Sequence, residues 1–176
     1  MTLNVLTVQV RRLIPADAAA YQAIRLAGLR EAPTAFAARY EEEQALPLST
    51  YEKRLAAMPD RGSFGAFEGP RLVGIVTLGR ETKSKLLHKA HIWGMYVVPE
   101  ARSRGEGKRL LLEAIELARS IPEIGQVNVS VNAANVAAMR LYDSVGFRTF
   151  GRETASLRID GEPHDELHMC LALARG

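Results

Sequence analysis

Residues 91–112 read HIWGMYVVPEARSRGEGKRLLL, and the order of residue types in this stretch decides the architecture. The apolar run His91-Ile92-Trp93-Gly94-Met95-Tyr96-Val97-Val98 has the length and content of a strand, and Pro99 closes it. Arg102-Ser103-Arg104-Gly105-Glu106-Gly107 follows, and a helical apolar pattern begins directly after it. The reading is strand, glycine turn, helix. A helix opening on such a turn aims free backbone N–H groups, and the positive end of its dipole, at the space above the strand. The glycines let the backbone approach a ligand closely, and Arg102, Arg104 and Lys108 add positive charge. Together these properties suit a diphosphate.

Upstream, β-branched residues over 5–13 predict a first strand. Pro15-Ala16-Asp17 opens a helix to about residue 30, with Tyr21, Ile24 and Leu29 facing inward. Glu41 to Glu43 read as a solvated helix face. Ser49 is the expected cap of a short helix over 49–58, with Glu52 at the capping-box spacing. Residues 63–67 and 72–78 form a hairpin around Glu68-Gly69-Pro70, and the polar, basic stretch 83–89 is a connecting loop. Downstream, residues 105–120 carry Leu111, Ala114, Ile115 and Ala118 on one helical face. Val127, Val129 and Val131 alternate with polar residues, as in a strand. A helix over 132–145 closes on Gly146, and a hairpin of 147–159 with 166–173 turns at Asp160-Gly161. There is no repeat and no linker, so residues 1–176 are expected to form one α/β domain.

The chain has 176 residues, 47% of them hydrophobic, and a net charge of +3, which gives no push toward nucleic acid. No apolar run approaches the roughly 18 residues of a membrane span. The single cysteine, Cys170, excludes an internal disulfide and a cysteine-based metal cluster, and the simplest setting is a reducing, cytoplasmic one. Cys170 lies in an apolar strand and reads as core. His88, His164 and His168 show no ligand spacing, so no metal is expected.

Three phosphate-binding patterns compete for the glycine turn. A dinucleotide fingerprint needs a third glycine where Leu110 stands, and a P-loop needs Ser or Thr where Arg109 follows Gly107-Lys108. The third form, Arg/Gln-x-x-Gly-x-Gly/Ala at a strand–helix junction, is matched in full by Arg102, Gly105 and Gly107. Here the chain resembles the GNAT superfamily of acyl-CoA-dependent N-acyltransferases. A second stretch, Asn135-Val136-Ala137-Ala138-Met139-Arg140-Leu141-Tyr142-Asp143-Ser144-Val145-Gly146-Phe147, is similar to that family's Asn-x-x-Ala-x-x-Leu-Tyr-x-x-x-Gly-Phe signature. Asn135, Ala138 and Tyr142 share one helical face, and the small residue between them leaves room for a slender ligand arm.

The resemblance implies a mixed, splayed sheet of about seven strands flanked by helices, and transfer of an acetyl group from acetyl-CoA to a primary amine. It implies that the backbone of Arg102, Ser103, Arg104, Gly105, Glu106, Gly107 and Lys108 holds the diphosphate. Met95, Tyr96 and Val97 would bond the pantetheine arm through their main chain, with Asn135 and Ala138 beside it. Tyr142 would donate a proton to the departing thiolate, and the Val97 amide is a candidate oxyanion donor.

His91 is the candidate base, since histidine can take a proton near neutral pH. It shares a strand face with Trp93 and Met95 if no bulge intervenes. Trp93 reads as core, or as a wall of the acceptor pocket. Members that acetylate ribosomal-protein N-termini carry a glutamate twelve residues before the tyrosine. Ser130 stands there in this chain, a poor base, which counts against close kinship with them. The acceptor is expected to be a small-molecule or peptide amine, and the C-terminal hairpin offers an edge for a homodimer. The alternative is a non-catalytic acyl-CoA-binding module, against which the retention of Tyr142 argues.

Overall fold

A computed structural model describes residues 8–174. The elements run β1 (Val8–Arg12), α1 (Ala18–Glu31), α2 (Tyr40–Gln44), α3 (Leu48–Arg54), β2 (Arg61–Glu68), β3 (Arg71–Arg80), β4 (Lys89–Val97), α4 (Glu106–Arg119), β5 (Gln126–Asn132), α5 (Val136–Asp143), β6 (Arg148–Ile159) and β7 (Glu162–Ala172). Of the predicted first strand, Val5 to Thr7 lie outside the described residues.

The seven strands form one sheet in the order β1-β2-β3-β4-β5-β7-β6. Every neighbouring pair is antiparallel except β4 with β5, which α4 joins as a crossover. Two apolar layers hold the sheet. On one side Leu110, Leu111, Ala114, Ile115 and Ala118 of α4 are buried against Val73, Val76, Leu78 and Val127. On the other, Tyr21, Ile24 and Leu29 of α1 pack with Tyr51, Leu55, Ile75 and Tyr96. The helical spacings of the sequence predict both faces correctly.

Expectations for four elements are corrected. Pro47, extended at φ −68 and ψ 153, precedes the first residue of α3, and Thr50 N–H donates to its carbonyl at 2.9 Å. Ser49 therefore lies inside the first turn and caps nothing. The helix stops at Arg54, and Met58 is drawn into a bridge with Arg61 at the start of β2. In the last helix, Asn132 still belongs to β5 and its Oδ1 accepts the Ala134 N–H at 2.9 Å, so α5 begins only at Val136. Asp160 and Gly161, both at positive φ (50 and 86), form a two-residue turn, so Ile159 faces Glu162 and β7 starts four residues earlier than its apolar content suggests.

The fourth correction shapes the site. Trp93 pairs with Thr77 and Tyr96 with Ile75, so β4 carries one extra residue in a bulge at Gly94. Ala90 and Ile92 face the α4 side before the bulge, whereas Met95 and Val97 face it afterwards. His91 and Trp93 share a face, and Met95 is turned to the other. Gly94 has φ +63, and a Cβ there would lie 3.2 Å from Arg25 Nη1, so both conformation and space favour glycine.

Candidate active site

β4 and β5 stay paired only from Lys89↔Gln126 to Ile92↔Val129. Beyond that rung β4 continues to Val97 against β3, and β5 to Asn132 against β7. The two parallel strands therefore part at their C-terminal ends. Val98 N–H donates to Val73 carbonyl at 2.9 Å. Strand alternation then turns the Val97 N–H away from β3 into the gap.

The glycine turn closes one end of the gap. Ser103 (φ 63) and Gly105 (φ 94) bring the chain round to α4, whose first turn carries its free N–H groups on Glu106, Gly107 and Lys108. A cavity of about 560 Å³ lies against it, walled by Met95, Val97, Ala138 and Leu141 and reached by Lys108 and Arg140. A Cβ on Gly107 would meet Leu141 Cδ2 at 3.3 Å, so glycine here lets α5 approach the first turn of α4. Lys108 and Arg140 form no ion pair among the described residues.

The predicted arginines do something else. Arg102 is held by both Glu31 carboxylate oxygens, at 3.1 and 2.5 Å, and its Nε donates to the Val97 carbonyl at 2.9 Å. Arg104 pairs with Glu68 at 3.0 Å, and Arg109 donates to the Val8 carbonyl at 2.7 Å. These side chains tie the turn to α1, β2 and β1. The charges of Arg102 and Arg104 are met by carboxylates, whereas Arg109 meets only a main-chain carbonyl.

A second cavity, about 320 Å³, shares Ala35, Met95, Asn135 and Ala138 with the first, so the two form one continuous groove. Tyr142 is 4% exposed and lines this second chamber. Its ring packs edge-on against Phe147, 5.5 Å between centroids. Burial pushes the phenol well above its ordinary range, so it holds its proton. Asn135 caps α5, its Oδ1 accepting the Ala138 N–H at 3.0 Å.

His91 also faces this chamber, with Nε2 2.9 Å from Glu81 Oε1. Trp93 is 39% exposed there rather than core, with Arg61 over its ring at 5.3 Å. Asn132 is buried, and its Nδ2 has no hydrogen-bond partner.

The family model for the acetyltransferase (GNAT) family matches residues 26–147. The chain belongs to this family. It is 34% identical over 116 residues to the N-alpha-acetyltransferase RimI of Mycobacterium tuberculosis, covering 65% of this chain and 69% of that one. It is 29% identical over 130 residues to the catalytic subunit NAA20 of the N-terminal acetyltransferase B complex of Arabidopsis thaliana, covering 73% and 71%. Its fold superposes on a GNAT acetyltransferase from Streptococcus pneumoniae with a TM-score of 0.84 at 23% identity, over 95% of this chain and 100% of that one. The chain is thus an acetyl-CoA-dependent N-acetyltransferase acting on an amine. Two of the proteins this chain is similar to are named as N-terminal acetylases, while serine stands at its own position 130.

The GNAT signatures bring Met95, Val97, Gly105, Glu106, Gly107, Lys108, Asn135 and Ala138 to one cavity and place Tyr142 and His91 in the next. Arg102, Ser103 and Tyr96 line the first cavity as well, while Arg104 does not. Sequence reading missed Arg140, a variable place in the second signature, and Glu81, whose contact with His91 depends on the pairing of β3 with β4. No helix among the described residues is long and apolar enough to cross a membrane.

The groove fits acetyl-CoA: free amides and Lys108 stand at the turn, Arg140 reaches in from α5, apolar walls follow, and the Val97 N–H opens into the gap between the strands. We expect Gly107→Val to raise the Kd for coenzyme A by about 10-fold, since about 1.4 kcal/mol of lost contact corresponds to that factor. Titration calorimetry on folded protein checks this.

Proposed function

We propose that this protein acetylates the amino end of a peptide or protein chain, with Tyr142 as general acid and His91 as general base in a direct transfer. The observation that carries the reading is the continuous groove. One cavity ends on the helix α4 N-terminus, the next holds Tyr142 and His91, and Met95, Asn135 and Ala138 stand between them.

Bound there, acetyl-CoA supplies the acetyl thioester that the amine attacks. Lys108, Arg140 and the amides of the turn hold its diphosphate. The Val97 N–H, open to the gap, would receive the negative charge that develops on the acetyl oxygen. Glu81 accepts from His91 Nε2, which leaves Nδ1 to take a proton from the incoming ammonium. Tyr142, kept neutral by burial, gives its proton to the leaving sulfur.

The peptide reading is supported by the names of the two curated relatives and by the unpaired Asn132 Nδ2, a donor suited to a carbonyl next to the reacting amine. The whole span 1–176 is taken as one catalytic domain in the cytoplasm, where the single free thiol of Cys170 stays reduced. The partner we infer is a second copy of this chain, paired along β6, an edge strand of the sheet where Phe150 is 65% exposed.

The test is a panel of free amino acids, polyamines and short peptides with acetyl-CoA, reading free thiol. We expect kcat/KM for free-amino peptides to exceed that for small amines by at least about 10-fold, the worth of roughly one buried hydrogen bond. Equal rates with both classes, or turnover of small amines alone, would reject a peptide acceptor.

A further inference from the structure

Ser130 is the first residue of β5 past the last β4–β5 rung, Ile92↔Val129, and lines the chamber that holds Tyr142. It stands directly across from His168 on β7. Ser130 Oγ lies 2.9 Å from His168 Nδ1, and His168 Nε2 lies 3.0 Å from Glu153 Oε2 on β6. For a neutral imidazole, the Glu153 carboxylate sets the direction of these hydrogen bonds. An ionised carboxylate only accepts, so Nε2 carries the proton and donates it to Glu153. Nδ1 of the neutral ring is then an acceptor, and the Ser130 hydroxyl donates to it. Ser130 Oγ is left with free lone pairs on the lining of the Tyr142 chamber, with a base behind it.

His168 is fixed in this pose. Its ring stacks on Phe150, 6.1 Å between centroids. The other titratable or charged groups toward this face are Glu166 and Cys170 at the flanking alternate positions of β7, Lys89 near Cys170, and His91 with Glu81 across the chamber. Glu166 is engaged by the Ser156 hydroxyl at 2.5 Å. His91 lies opposite Asn128, two residues before Ser130 on β5, so Ser130 stands about 7 Å further toward the splay.

We propose that Ser130, His168 and Glu153 form a second proton-accepting relay of this acetyltransferase, one that takes the proton from the attacking nitrogen as the new bond forms. The inference rests on the acetyl-transfer reading and adds to it. An ammonium must lose two protons to become an amide. His91, toward the paired end of the strands, removes the first. As the N–C bond forms and the C–S bond breaks, the nitrogen passes its second proton to Ser130 Oγ, and the Ser130 hydroxyl proton moves to His168 Nδ1. Tyr142 protonates the sulfur. Glu153 is the positioning residue, holding the tautomer and stabilising the imidazolium. The cycle closes when His91 and His168 give their protons to solvent and Tyr142 takes one back.

The experiment compares wild type with Ser130→Ala, His168→Gln, the double variant and Glu153→Gln, measuring kcat across pH and the Kd for coenzyme A. Each single change at Ser130 or His168 should lower kcat by about 100-fold, the scale of a lost general base. The double variant should be no slower than either single one, because the two act as a unit. The Kd for coenzyme A should not move. Glu153→Gln, which leaves the serine–histidine bond in place, should shift the acidic limb of the kcat profile to lower pH. Wild-type kcat and pH profile in both Ser130→Ala and His168→Gln overturn the relay. So does an acetyl group recovered on Ser130, which would make it a nucleophile. A wild-type protein that binds coenzyme A yet acetylates no amine overturns the parent reading, and the relay with it.

Discussion

Replacing Tyr142 by phenylalanine is expected to lower kcat by about 100-fold or more, within the range of a lost general acid, while the KM for acetyl-CoA changes little. Phenylalanine keeps the ring that packs edge-on against Phe147, so the apolar contact at the α5 end of the core survives. What is lost is one proton placed beside the leaving sulfur. Tyr142 is 4% exposed, and burial raises its pKa because the phenolate would lose hydration without gaining a cation. The sign matters for the pH profile. A raised pKa keeps the acid form populated above the ordinary value for tyrosine of about 10. Any decline in rate between neutral pH and that value therefore belongs to another group, and Tyr142→Phe should not remove it. Steady-state kinetics with free-thiol detection, paired with coenzyme A titration, separates the roles. An unchanged kcat in Tyr142→Phe would show that the phenol donates nothing, and would return weight to the non-catalytic binding module.

The sequence makes the cofactor half of the groove legible and leaves much of the acceptor half dark, for a physical reason. Helix α4 and strand β5 advertise themselves by local periodicity, and the glycine turn and the Asn135–Tyr142 face are read within single elements. The remainder depends on who meets whom across the fold. Arg102 looks like a diphosphate ligand until α1 brings Glu31, 71 residues away, onto it, and Arg104 until β2 brings Glu68, 36 residues away. Ser130 looks inert because its base arrives from β7, 38 residues on, and that base's carboxylate from β6. The β4 bulge turns on a pairing irregularity with β3 that Gly94 permits but does not announce. Glu41 to Glu43 have one composition and two fates, since Glu41 and Glu42 are exposed while Glu43 is 3% exposed.

That buried glutamate supports the second large effect. Glu43→Gln is expected to destabilise the fold by about 3 kcal/mol, the lower end of what breaking a buried ion pair costs. For a chain of this size that lowers Tm by roughly 6–12 °C. Glu43 receives Arg25 Nε and Nη2 at 2.6 Å each and Arg54 Nη1 at 3.2 Å, and its main-chain carbonyl accepts the Tyr51 hydroxyl at 2.9 Å. Burial alone would push its carboxyl up, but the Arg25 guanidinium, with help from Arg54, outweighs that and holds it below the ordinary carboxylate value of 4.5. A carboxyl with a depressed folded pKa contributes stability that is complete above 4.5 and drains away as pH falls through the folded value. The stability gap between wild type and Glu43→Gln should therefore be full above pH 4.5 and narrow as pH falls through the depressed value.

The pair also carries the site. Arg25 lies 5.4 Å from the Phe36 ring centroid, Phe36 walls the chamber, and Arg25 Nη1 is the atom nearest a hypothetical Cβ on Gly94. Removing the carboxylate leaves the guanidinium buried without its partner directly beneath the β4 bulge. Replacing both members by apolar residues of similar volume, Arg25→Met with Glu43→Leu, should recover much of the lost stability, because neither charge is then stranded. If thermal melts instead place Glu43→Gln within about 0.5 kcal/mol of wild type, the range of an ordinary surface change, the cluster does not anchor α1, α2 and α3 under the bulge.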